Sequence, residues 1–167
     1  DTKPVAFVED AAVSPEKLPD YIREFDAIVR SHGTTAGYYA HASVGLLHIR
    51  PLVNLKTAAG VAKMRAIAEQ VRDLVLKYGG AMSGEHGDGR VRAPFVDRIW
   101  SPELVSVFRE VKERLDPDGL MNPGVILPLP GQDPLPEYFE ARAKGGNCSR
   151  ARNNDPASHR PLRSSSM

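Results

Sequence analysis

The sequence predicts an α+β domain: a ferredoxin-like antiparallel sheet with helices packed on one face, followed by a disordered C-terminal tail. Two observations predict it. Segments of apolar periodicity follow one another in the order β-α-β-β-α, then a loop and a further helix, with no internal repeat. The hydrophobic share of 41% and charged share of 26% are those of a packed globular chain, until aliphatic residues thin out near Lys144.

The first strand candidate is Pro4–Asp10, a short apolar run. Ser14 then offers an N-cap, Pro15 fills the first helical position and Glu16 adds first-turn acid. The helix that follows sets Leu18, Tyr21, Ile22, Phe25, Ile28 and Val29 on one stripe, and Gly33 stops it. Two strands are expected next, at Gly37–His41 and Gly45–Val53. A long amphipathic helix is expected from Thr57 to Tyr78, buried through Val61, Met64, Ile67, Val71, Leu74, Val75 and Tyr78, and ended by Gly79-Gly80. Beyond the glycine-rich segment GAMSGEHGDGRVR, Ser101 caps a helix to Leu115 with Leu104, Val105, Phe108, Val111 and Leu115 expected to face inward. Asp116-Pro117-Asp118-Gly119 and Asn122-Pro123-Gly124 read as turns. The expected divisions are a domain over 1–128, a Pro-rich exit over 129–143 and a disordered basic tail over 144–167.

Composition excludes several classes. The chain of 167 residues has a net charge of +1, which is no nucleic-acid signature. The tail carries five basic residues and one acid, which leaves −3 on the rest. A single cysteine, Cys148, leaves no disulfide framework, no four-cysteine zinc site and no self-contained iron–sulfur cluster. No apolar run is long enough to span a membrane, and the first residues lack a signal-peptide pattern. The expectation is a soluble, cytoplasmic piece of something longer.

Two sites invite chemistry. His41 and His48 flank Ala-Ser-Val-Gly-Leu-Leu, so two strands meeting near Gly45 can bring both imidazoles to one ion; the alternative is a pair of half-buried, hydrogen-bonded rings. Gly84-Glu85-His86-Gly87-Asp88-Gly89 packs a carboxylate, an imidazole and a second acid between glycines that let the backbone approach a ligand closely. Glu85 can complete a two-histidine, one-carboxylate site for Zn²⁺ or another divalent ion. His86 is expected to point elsewhere and to serve as a general base. The bland alternative is a glycine turn exposing ordinary polar groups. A phosphate loop is disfavoured, because no Gly-Lys-Ser/Thr follows.

The blocks PVAFVEDAAVSPEKLPDYI, AHASVGLLHIRPLVNL, GGAMSGEHGDGRVR and LDPDGLMNPGVIL, in this order between Pro4 and Pro128, resemble the C-terminal domain of the FAD-linked oxidases. This is the glycolate oxidase subunit, D-lactate dehydrogenase and D-2-hydroxyglutarate dehydrogenase group of the vanillyl-alcohol oxidase superfamily. The resemblance is nearest to the large bacterial forms with a following iron–sulfur part. It implies that His41, His48 and Glu85 are metal ligands and that His86 takes the hydroxyl proton while hydride passes to FAD. It also implies that Asn122 lies where the chain returns to a flavin domain, a cofactor contact.

The chain departs from the family pattern at two places. Ser43-Val44-Gly45-Leu46-Leu47 stands where relatives carry Gly-Asp-Gly-Asn-Leu. Arg50 stands where some carry a substrate-binding Asn, and can grip a substrate carboxylate in a bidentate way or balance a nearby acid. No FAD-binding domain precedes Asp1 in this sequence, so the isolated chain is expected to be inactive. The partners expected are a small 2-hydroxy acid, a separate FAD-binding domain and an iron–sulfur domain or subunit, with no nucleic acid. The expected function is the C-terminal part of an FAD-linked D-2-hydroxy acid dehydrogenase, with zinc as the expected metal. The alternatives are a non-catalytic truncated cap that docks on a flavoprotein partner, and a metal-dependent hydrolase using Glu85 as base. The last lacks a His-Glu-x-x-His helix.

Overall fold

A computed structural model describes residues 2–130, so most of the Pro-rich exit and the whole basic tail lie outside the described residues. The elements are β1 (Lys3–Pro4), β2 (Ala11–Ala12), α1 (Leu18–Ser31), β3 (Ala36–His41), β4 (Leu46–Val53), α2 (Ala58–Lys77), α3 (Val96–Ile99) and α4 (Pro102–Leu115). Strand β4 is the centre of an antiparallel sheet of four strands. Along one edge it pairs with β3, in a register that sets Tyr39 opposite His48 and His41 opposite Leu46. Along the other, β2 pairs with Leu46 and Leu47, and β1 with Leu52 and Val53.

Alternation along β4 divides its side chains between two faces. Leu47, Ile49 and Val53 join the core with Tyr21, Phe25 and Val29 of α1 and Met64, Ile67, Val71 and Val75 of α2. Full burial of each such side chain is worth about 1.5–3 kcal/mol. His48 and Arg50 fall on the opposite face, away from the helices. Helix α2 starts where the Thr57 hydroxyl accepts from Gly60 N–H at 3.1 Å, and α4 where Ser101 accepts from Leu104 N–H at 3.4 Å. Before α1, Pro15–Lys17 form a single 3-10 turn, so the regular helix begins at Leu18 rather than at Pro15.

Two expectations are corrected. The run Pro4–Asp10 is not one strand: only Lys3–Pro4 and Ala11–Ala12 pair with β4. The link between them carries Phe7 and Val8 into the core, and Asp10 stands at φ +79, a left-handed conformation that breaks the ladder. On α4 only Val105 is buried. Leu104, Val111 and Leu115 of its apolar stripe are exposed. Within the stripe Phe108 meets the Trp100 ring edge-on at 6.1 Å, while Leu104, Val111 and Leu115 keep helical period without burial.

Candidate metal centre

The site is built on the sheet face opposite the helices. Cross-strand pairing stacks the ring of Tyr39 on His48, with centroids 4.4 Å apart and planes at 21°. His48 is 1% exposed, its Nδ1 has no hydrogen-bond partner among the described residues, and ring stacking helps to hold its orientation. Strand β3 delivers His41, whose ring meets His48 edge-on at 5.2 Å. A 3-10 turn over Ala42–Val44 reverses the chain between the two histidines and closes at Gly45, φ +73. A Cβ there would lie 1.8 Å from the Val13 carbonyl oxygen, so only glycine fits.

The segment from Ala81 docks beside β2 through a bridge to Ala12 and then lies across this face. Gly84 passes so close to Leu46 that a Cβ would sit 2.2 Å from its side chain. Asp10, fully buried, accepts from the Ser83 hydroxyl at 2.6 Å, from Glu85 N–H at 2.9 Å and from His86 N–H at 2.8 Å. Burial alone would raise this carboxyl. The three hydrogen bonds and the Arg92 guanidinium 3.8 Å away outweigh burial and hold its pKa below the usual carboxylate range. Arg92, itself buried, donates to the carbonyls of Gly87 and Glu9; burial lowers its pKa, and Asp10, Asp88 and Glu9 oppose that.

The side chains meet at one point. Glu85 Oε1 lies 3.2 Å from His48 Nε2, 3.1 Å from His86 Nε2 and 4.0 Å from His41 Nε2. His86 therefore does not point elsewhere. Its Nε2 turns to the same oxygen as the other imidazoles, while its Nδ1 lies 3.2 Å from Glu9 Oε1. Glu9 Oε2 also accepts from Nε of Arg50, whose guanidinium stands 5.9 Å over the Tyr39 ring. That hydrogen bond raises the Arg50 pKa further, so its charge is permanent. Both uses suggested for Arg50 stay open geometrically, since Glu9 takes the Nε edge and the side chain is 44% exposed.

Among the described residues three overlapping groups of side chains have the donors for a metal: His41, His48 and Glu85; Glu9, His48 and His86; and Asp10, Glu85 and His86. The first fits best. Glu9 is neutralised by Arg50, and Asp10 has both oxygens committed to hydrogen bonds. Zinc–nitrogen bonds of about 2.0–2.1 Å place tetrahedral donors about 3.3 Å apart, near the spacing between Glu85 and His48. Two imidazoles and a carboxylate suit zinc and leave a coordination position open. His41, Glu85 and His86 are half-exposed, so the site opens to solvent.

Asn122 lies in the loop after α4, at φ +47. That loop is tied to the metal-centre segment where Arg90 donates to the Pro123 carbonyl at 3.1 Å and Ile126 N–H to Gly89 at 2.9 Å. Glu9, Asp10, Arg92 and Tyr39 were not legible as site residues. The available signal was the acid pair Glu9-Asp10 embedded in an otherwise apolar run.

The family described as FAD linked oxidases, C-terminal domain, matches residues 1–126. The chain belongs to this family. Among similar proteins, D-2-hydroxyglutarate dehydrogenase of Haemophilus influenzae is 41% identical over 134 residues, 80% of this chain and 13% of that protein. The D-2-hydroxyglutarate dehydrogenase of Escherichia coli is 41% identical over 131 residues, again 13% of its length. D-lactate dehydrogenase of Archaeoglobus fulgidus is 31% identical over 125 residues, covering 75% of this chain and 27% of that protein. The chain thus spans only 13–27% of the length of these relatives. No helix among its described residues is long and apolar enough to cross a membrane.

Proposed function

We propose that the chain is the C-terminal part of an FAD-linked D-2-hydroxy acid dehydrogenase of the D-2-hydroxyglutarate, D-lactate and glycolate type. In this reading His41, His48 and Glu85 hold a divalent ion, zinc by ligand chemistry, and His86 is the general base. The observation that carries it is the convergence of His48 Nε2 at 3.2 Å and His41 Nε2 at 4.0 Å on Glu85 Oε1, with His86 Nε2 beside them at 3.1 Å, on a face open to solvent. When bound, the ion supplies Lewis acidity and FAD a hydride acceptor.

The chain's own residues do the rest. Glu9 Oε1 stands 3.2 Å from Nδ1 of His86, a placement that favours the tautomer with its proton on Nδ1 and would leave Nε2 free to take the hydroxyl proton. Arg50, steadied by Glu9 and Tyr39, binds the substrate carboxylate through the guanidinium edge that Glu9 leaves free. In this reading an FAD-binding domain docks on the apolar stripe of α4. There a groove of about 500 Å³ is lined by Trp100, Phe108, Val111, Leu115, Met121 and Ile126. Asn122, exposed and next in the chain to the groove-lining Met121, would meet the flavin.

The test is reduction of an electron-accepting dye by D-2-hydroxyglutarate, D-lactate and glycolate, with the chain joined to its FAD-binding domain. The expected result is turnover that falls about 10²–10⁴-fold in His86→Ala. Unchanged turnover in that variant rejects the base assignment. Turnover by the 167-residue chain with free FAD alone would reject the need for a separate flavin domain. The exposed α4 face also supports a second reading, a non-catalytic cap that binds a flavoprotein; binding without turnover of any 2-hydroxy acid would favour it.

A further inference from the structure

Glu85 and His86 are consecutive, and in an extended chain their side chains would point to opposite sides. Here Glu85 Oε1 and His86 Nε2 lie 3.1 Å apart. The backbone explains this. The N–H groups of both residues aim at a single carboxylate, that of Asp10, in the curled arrangement by which successive amides cradle an anion. With both amides turned inward, both side chains splay outward to the same side.

Asp10 is itself held from several directions. The Ser83 hydroxyl donates to Oδ2, Gly84 N–H donates to the Asp10 carbonyl at 2.8 Å, and Arg92 approaches Oδ2 while bonding the flanking carbonyls of Glu9 and Gly87. A non-glycine residue at φ +79 carries backbone strain that surrounding contacts must hold. Aspartate and asparagine tolerate that conformation best, and only aspartate has two acceptor oxygens for two amides and a hydroxyl. The residue type, its full burial and its backbone conformation all serve the same contacts.

We propose that Asp10 is a positioning residue: its carboxylate curls the Glu85–His86 backbone and thereby sets the metal ligand and the base side by side before any ion binds. The inference rests on the reading of Glu85 as ligand and His86 as base; the Asp10 carboxylate hydrogen-bonds the backbone of both residues and the side chain of neither. Asp10→Asn is the decisive variant. It keeps the volume and the tolerance for left-handed φ, but it replaces one acceptor oxygen by an NH₂ that faces an amide N–H.

The experiment follows amide hydrogen exchange and zinc binding in the 167-residue chain. In wild type the amides of Glu85 and His86 are protected. In Asp10→Asn their protection falls at least about tenfold while those of α2 keep theirs, and zinc affinity falls about 10–100-fold, the loss typical when a group supporting a metal ligand is removed. Equal protection in the two proteins, or lost protection with unchanged zinc affinity, overturns the proposal. If Asp10→Asn does not melt cooperatively, wild type decides: free-chain exchange at Glu85 and His86 overturns the proposal, and protection upholds it. If zinc binds neither protein, the ligand reading fails, and exchange alone then decides the role of Asp10.

Discussion

The Oε1 atom of Glu85 lies 3.2 Å from Nε2 of His48, a side chain that is 1% exposed and stacked on Tyr39. A loop carboxylate thus reaches a rigid imidazole on the central strand, with His41 on the neighbouring strand close enough to share an ion. Zinc should therefore stabilise the chain by about 2.7 kcal/mol at a hundred times its dissociation constant. His41→Ala should abolish that gain with little change in the zinc-free melt, since the His41 side chain is 56% exposed. Thermal melts with and without zinc check it; an equal zinc response in the variant would remove His41 from the ligand set.

Glu9 touches both His86 and Arg50 from a buried position. Glu9→Gln keeps the shape but removes the charge that orients both partners. In the FAD-containing protein, kcat/KM should fall roughly 10–100-fold, the range for groups that orient site residues. Steady-state kinetics with a 2-hydroxy acid check it, and wild-type kinetics in the variant would sink the role given to Glu9.

Gly45 and Gly33 both have positive φ, but they differ in what surrounds them. A Cβ on Gly45 meets the Val13 carbonyl oxygen at 1.8 Å, whereas one on Gly33 meets nothing within 4 Å. Gly33→Ala should cost about 1–2 kcal/mol, the left-handed penalty alone. Gly45→Ala should cost more, about 3 kcal/mol or beyond, because the Ala42–Val44 turn must shift. Urea unfolding of the pair measures the difference, and equal midpoints would contradict it.

Asp116 follows α4. The hydrogen bond from Lys112 lowers its pKa most; burial opposes this, and the N–H groups of Met121 and Leu120 and the Lys112 charge add to the lowering. A carboxyl whose pKa is lower folded than unfolded stabilises the fold above its unfolded value, about 3.9, and that contribution disappears as pH falls through the folded value. Asp116→Asn should therefore be less stable than wild type at neutral pH, and the gap should close on acidification below about pH 4. Melting curves across pH 2–7 test this; a gap that widens toward acid would reverse the sign.

Leu115 is 73% exposed at the end of the apolar α4 stripe. Leu115→Lys should leave the melt within about 0.5 kcal/mol of wild type, as surface changes do. It should weaken association with an FAD-binding domain by tenfold or more if that face is the docking surface. Binding measured by calorimetry checks it, and undiminished affinity would place the docking surface elsewhere.

Much of the domain was legible before any coordinates. Periodicity placed α2 within a residue of each end, Thr57–Tyr78 against Ala58–Lys77, and located β3 and β4 closely. Glycine density marked the segment around Glu85, and two histidines around a glycine turn marked the strands that bring His41 and His48 together. The side to which α4 turns was not legible. A stripe of Leu104, Phe108, Val111 and Leu115 has the same period whether a partner covers it or not, so its exposure depends on what packs against it.

The local chemistry of the chain belongs to the sequence: which segments are helical, which residue types can ligate a metal, and where the backbone must be glycine. Tertiary structure decided the convergence. Asp10 and His86 are 76 residues apart in sequence, and their hydrogen bond exists only because the Ala81–Gly89 segment lies beside β2. Pattern-based reading works over a few residues because it rests on repeat geometry. A buried carboxylate that curls a distant loop leaves no period to read, since its partners are backbone amides that every residue but proline possesses.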